Sequence, residues 1–168
     1  MLIPVFTSCP TDLSVAQFEI KRAIEGELGR QGLESRAVGQ TDYPTSNPLT
    51  EVLMLGRHCA GGVILGFTQF SAPSGRFKPG TGHERKVATK VVMPTPWNQI
   101  EAGLLFALGK PLIVFREKGI GGGVFDAGNT NLFIHDMPPI SPTAMDKKRL
   151  REVLQRFSAE VHGHYYKF

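Results

Sequence analysis

Short continuous apolar runs alternate along this chain with stretches whose apolar positions recur at helical spacing. Residues 2–7 form a short, nearly continuous apolar run before a polar loop at 8–12, the pattern of a buried strand. Ser14 and Gln17 stand at capping-box spacing, and Ala16, Ile20, Ala23, Ile24 and Leu28 follow at helical intervals up to Gly32. Residues 33–38 predict a second, weaker strand. Asn47-Pro48 opens a helix to about Cys59 that buries Leu49, Val52, Leu53 and Gly56. Residues 61–67 predict a third strand, apolar on both faces and so suited to a covered parallel sheet. The pattern then breaks: residues 68–93 are rich in Gly, Pro and basic side chains, with a short strand expected near Val91-Val92. A segment that long is expected to be either a functional lid or a disordered insertion. Thr95-Pro96 is an N-cap and first-turn proline for a helix to about Gly109. Strands at 111–115 and 132–135 follow. A last helix starts at Ser141-Pro142 and carries Leu150, Val153, Leu154, Phe157 and Val161 on one face.

Strands alternating with helices imply a parallel sheet covered on both sides by right-handed crossovers. The expectation is one α/β domain over residues 1–168, a flavodoxin-like three-layer fold with a five-stranded parallel sheet of order 2-1-3-4-5.

Composition narrows the function only a little. At 168 residues, 41% hydrophobic and 20% charged, the chain has the make-up of a globular protein with room for a substantial core. A net charge of +4 is too mild to imply nucleic acid, though a local basic surface suits phosphate. Cys9 and Cys59 form no metal or redox motif and fit a reducing compartment, and no apolar run approaches a bilayer span. With no export signal at the N-terminus, a cytoplasmic protein is expected. The five histidines show no metal-ligand spacing, and no metal is expected.

Chemistry concentrates at Trp97-Asn98-Gln99-Ile100-Glu101. Between Val91 and Gly109 only Glu101 carries a charge, and its helical neighbours are Trp97, Leu104, Leu105 and Leu108, without a Lys or Arg to pair with it. The plainer reading is a carboxylate pointing to water; set among apolar groups it is costly unless hydrogen bonds or a ligand compensate it. Ligands in such sheets bind beyond the carboxyl ends of the strands. The candidates there are Thr7, Ser8 and Cys9 after the first strand and Asp42 after the second. Phe67, Gln69 and Phe70 follow the third, and Arg116 the fourth. Trp97 and Asn98 open the Glu101 helix at the same rim, and Arg85 and Lys86 come from the long basic segment. Hydroxyls and amides for ribose, rings for a base and cations for phosphate make a set suited to a nucleotide. The run Gly119-Ile120-Gly121-Gly122-Gly123-Val124 ends in Val where a dinucleotide fingerprint has Gly, and reads as a flexible loop. Lys147, Lys148, Arg149 and Arg151 read as a solvated face.

With W-x-x-x-E placed on the helix before the fourth strand, the chain resembles the TIR-like superfamily, whose catalytic members carry that arrangement with the Glu as catalytic residue for NAD cleavage. Glu101-Ala102-Gly103 through Gly109-Lys110-Pro111 is also similar to the nucleoside 2-deoxyribosyltransferase family. Thr7-Ser8-Cys9-Pro10-Thr11 departs from the acidic and aromatic first-strand motifs usual there. The resemblance implies a nucleotide N-glycosidase that cleaves the nicotinamide–ribose bond of NAD, with Glu101 catalytic. It also implies NAD as substrate with no cofactor, a nucleotide or nucleoside as small-molecule partner, and assembly into a homo-oligomer. The alternatives are deoxyribosyl transfer and a non-catalytic nucleotide sensor.

Overall fold

The computed structural model describes residues 2–39, 47–128 and 134–167. In chain order the elements are β1 (Ile3–Ser8), α1 (Val15–Arg30), β2 (Leu33–Arg36), α2 (Pro48–His58) and β3 (Gly62–Gly66). Next come β4 (Phe70–Ala72), β5 (Gly75–Phe77), β6 (Arg85–Val87), β7 (Val91–Met93) and α3 (Pro96–Ala107). The chain ends with β8 (Leu112–Arg116), a 3-10 turn (Gly123–Phe125), β9 (Ile134–Asp136) and α4 (Ala144–Tyr165). The main sheet has order β2-β1-β3-β8-β9 and all four pairings are parallel, as the alternation predicts.

Side chains of a strand alternate between faces, and here they divide the core in two. Ile3, Val5, Val63, Leu65, Ile113 and Phe115 pack against Ile20, Ile24 and Leu28 of α1 and Leu154, Phe157 and Val161 of α4. Phe6, Ile64, Leu112 and Val114 face the other way, against Val52 of α2 and Ala102 and Leu105 of α3. Gly56 is where α2 meets α3: a Cβ there would lie 3.2 Å from Leu105 Cδ2.

Several expectations are corrected. The 68–93 segment is a β arm, with β4 antiparallel to β7 and β5 antiparallel to β6 nested beyond it. Near its tip, Glu84 accepts from the Gly80 N–H at 2.7 Å and the Arg85 guanidinium lies 4.7 Å over the Phe77 ring. The glycine-rich stretch after β8 is docked as well. Gln99 donates to Gly122 O at 2.9 Å and accepts from Val124 N at 2.9 Å, which seats Phe125 in the core. The last helix is capped by Thr143 with Asp146 in a capping box, two residues beyond Ser141. Of the expected 132–135 strand, only its end lies in the described residues, where β9 begins at Ile134.

Candidate functional site

Two stripes of α3 place the site. Asn98, Ala102 and Leu105 are spaced i, i+4, i+7 and are buried against the sheet. Trp97 and Glu101 lie one position to the side and line a cleft of about 270 Å³. Thr95 fixes where the helix starts: its hydroxyl accepts from Trp97 N at 3.3 Å, with Pro96 in the first turn. The other walls are Cys9, Pro10 and Thr11 after β1, Val38 after β2, Pro48 and Val52 of α2, and Gln69 at the base of the arm. This is the rim at the carboxyl ends of β1 and β3.

Glu101 makes no ion pair among the described residues. Burial pushes its carboxyl up to about 7, and a hydrogen bond from the Ser8 side chain pulls in the other direction. Behind Ser8 stands Asn98, with no exposed surface. Its Nδ2 donates to Ser8 Oγ at 2.8 Å and to Leu65 O at 3.4 Å, while its Oδ1 has no partner among the described residues. Because Asn98 occupies an acceptor position of the Ser8 oxygen, the serine proton is left for Glu101. Cys9 stays a thiol at neutral pH. Burial pushes it up to about 12, with Lys21 opposing and the carboxylates of Glu25 and Glu101 adding to the rise.

Of the predicted site residues, Cys9, Gln69, Trp97 and Glu101 come together around the cleft, with Ser8 bonded to Glu101 from behind. Asn98 is a correction: it is sealed from the cleft and positions Ser8 instead of meeting a sugar. Thr7 is likewise buried, its hydroxyl accepting from Ser35 Oγ at 2.7 Å. Phe67 lies wholly within the core. Arg116 is turned inward, donating to Ile120 O and Phe125 O to hold the glycine-rich loop. Phe70, Arg85 and Lys86 sit exposed on the arm and do not line the cleft. Asp42 lies outside the described residues. Sequence reading missed the lining roles of Pro10, Thr11, Val38, Pro48, Val52 and Thr95. The Asn47-Pro48 and Thr95-Pro96 helix starts were the available signal, since both caps open onto this rim.

A larger cavity of about 440 Å³ lies between α1 and α4 beside Glu27. The Glu27 carboxylate is occupied there by Arg30 at 2.8 Å, Gln31 at 3.0 Å and Arg151 at 3.6 Å, so the buried carboxylate beside that space is already paired. Among the described residues no cluster of three or more His, Cys, Asp or Glu is placed to hold a metal, and no helix is long and apolar enough to cross a membrane.

No protein-family model and no curated protein sequence matches the chain. Among solved structures it is similar to a diflavin flavoprotein A3 from Nostoc sp., with a TM-score of 0.49 and 15% identity over 98% of this chain and 96% of that chain. A likeness at that level assigns no flavin to this protein. The expectation of no cofactor is withdrawn; the similar structure is of a flavoprotein.

Proposed function

We propose that the protein is an N-glycosidase of TIR-like type that cleaves the nicotinamide–ribose bond of NAD, with Glu101 as its catalytic residue. The observation that carries the reading is a half-buried carboxylate without a cationic partner among the described residues, in a cleft at the strand ends beside Trp97. In the reaction the C1′–N1 bond breaks, its electron pair neutralises the pyridinium nitrogen, and neutral nicotinamide leaves without protonation. Positive charge develops on the ribose, and the ionised Glu101 stabilises it electrostatically. Water then adds at C1′ and gives up a proton. Ser8 holds the carboxylate in one orientation, and Asn98 holds Ser8.

Free nicotinamide is the readout. The unmutated protein should release it from NAD and Glu101→Gln should not, measured over a range of protein concentrations because the resemblance implies assembly. Equal release by both would end the reading. The deoxyribosyltransferase alternative is favoured by one feature, the absence of Lys and Arg from the described cleft lining, which suits a substrate without phosphate. Base exchange between deoxynucleosides, with no nicotinamide release, would select it.

A further inference from the structure

The walls of the Glu101 cleft carry one carboxylate and, among the described residues, no cationic side chain. Residues 40–46, outside the described part, contain no Lys, Arg or His in their sequence. Elsewhere the fold gives its buried carboxylate a cation, as Arg30 does for Glu27 at 2.8 Å. Among the described residues Glu101 has only the Ser8 side chain as partner, so its charge faces the cleft. Beside it stands Trp97, 40% exposed and the chain's single tryptophan.

We propose that this cleft recognises a planar organic cation, an N-ribosylpyridinium, held between the Glu101 carboxylate and the Trp97 ring, and that the phosphate-bearing remainder of a dinucleotide adds little to binding. The ribose in this assignment rests on the glycosidase reading; the cation does not. A partly desolvated carboxylate attracts a cation at contact far more strongly than the same pair in water. An indole face adds a second favourable contact for positive charge. A pyrophosphate brought to the same walls would meet an unpaired negative charge and no counter-charge. The volume, about 270 Å³, lies at the small end for ligand sites and suits one ring with its sugar. The polar groups around Glu101 are the Ser8 hydroxyl, the Cys9 thiol and Thr11 hydroxyl from the β1–α1 loop, the Thr95 hydroxyl at the start of α3 and the Gln69 amide from the arm, with only apolar Pro48 and Val52 from α2. None of these supplies a competing charge near neutral pH, so a bound cation draws the carboxyl into its ionised form and releases a proton below pH 7.

Trp97 fluorescence provides a test that needs no turnover. Three probes are titrated at pH 8: 1-methylnicotinamide, a cation without a glycosidic bond; nicotinamide, its neutral counterpart; and ADP-ribose, the remainder without the ring. The cation should bind at least about tenfold more tightly than either of the others. Glu101→Gln should remove that preference, and so should titration of the unmutated protein at pH 5, which guards against a misfolded variant. ADP-ribose binding as tightly as the cation, a preference that survives in Glu101→Gln and at pH 5, or absence of saturable binding by the cation would each overturn the proposal. Nicotinamide riboside and NAD are then compared as substrates, with kcat/KM values expected within about tenfold of each other. Cation-selective binding without cleavage of either would sustain this inference and end the glycosidase reading. Cleavage of NAD alone, with ADP-ribose the tighter ligand, would do the reverse.

Discussion

Asn98 Nδ2 donates to Ser8 Oγ across 2.8 Å, joining the buried stripe of α3 to the last residue of β1. The bond sets the direction of the next one, from Ser8 to Glu101. Ser8→Ala removes a charge-assisted hydrogen bond from the carboxylate. The Glu101 carboxyl should therefore titrate higher, by on the order of one unit. Asn98→Asp should move it the same way, because the introduced carboxylate would take the serine proton and add a like charge. Carbon-13 NMR titration of the Glu101 side chain reads both; an unmoved carboxyl in Ser8→Ala would mean that Ser8 does not support it.

Glu101 also makes stability depend on pH in an unusual direction. Its folded value of about 7 lies above the ordinary 4.5, so the fold prefers the protonated form. Stability is fully kept below pH 4.5, declines as pH rises toward 7, and is level above that. Glu101→Gln lacks this loss and should be more stable than the unmutated protein at pH 8, by on the order of 2 kcal/mol. The two should converge below pH 4.5. Urea denaturation at pH 4, 6 and 8 measures the difference, and a variant less stable at pH 8 would contradict the burial of this carboxylate.

Glu27 should behave with the opposite sign. Burial alone would push its carboxyl up, but hydrogen bonds from Arg30 and Gln31 and the charges of Arg30 and Arg151 outweigh burial and hold it below 4.5. Its stabilising contribution is therefore present above the unfolded value and lost as pH falls through the folded one. Glu27→Gln should cost about 1–3 kcal/mol at pH 7 and progressively less in acid. Thermal melts across pH 3–7 separate this curve from that of Glu101→Gln.

Gly66 and Gly26 give a matched pair of glycine tests. A Cβ on Gly66 would meet the ring of Phe125 at 2.4 Å, in the core beneath the docked glycine-rich loop. Gly66→Ala should destabilise by about 1–3 kcal/mol by displacing that ring. Gly26, inside α1, has nothing within 4 Å of its added Cβ. Gly26→Ala should stabilise by about 0.5–1 kcal/mol through helix propensity and reduced unfolded-chain entropy. Chemical denaturation of each single variant distinguishes the two signs.

The arm supplies a last contrast. Arg85 and Lys86 are exposed on β6, away from the cleft walls, whereas Gln69 at the arm base lines the cleft and donates to Asp12 O at 3.2 Å. Arg85→Ala and Lys86→Ala should shift stability by less than about 0.5 kcal/mol and leave the KM for NAD unchanged. Gln69→Ala should raise KM. A raised KM in the two arm variants would instead mean that the arm closes over Glu101 during turnover.

What the sequence determined by itself was local. Residues such as Val63, Ile64 and Leu65 specify a strand covered on both faces because successive side chains point to opposite faces and all three are apolar. Thr95-Pro96 starts α3 because cap chemistry acts within one turn, and that start sets Trp97 above Glu101. The parallel order of the sheet followed from the alternation, since crossovers between parallel strands leave few topologies open. Contacts between distant segments were decided only by the tertiary structure. Arg116, at a strand end, read as a phosphate ligand until the loop folded back and offered its carbonyls. Phe67 read as a base platform until the α1 and α4 side of the core enclosed it. Residues 68–93 lack a strong period because the four strands of the arm are 3 residues each, too short to repeat one, and are held by their partner strands. The isolation of Glu101 along the helix was visible in the chain. That Ser8 would be its hydrogen-bond donor, and Asn98 the donor behind Ser8, required β1 and α3 to meet across 90 residues of sequence.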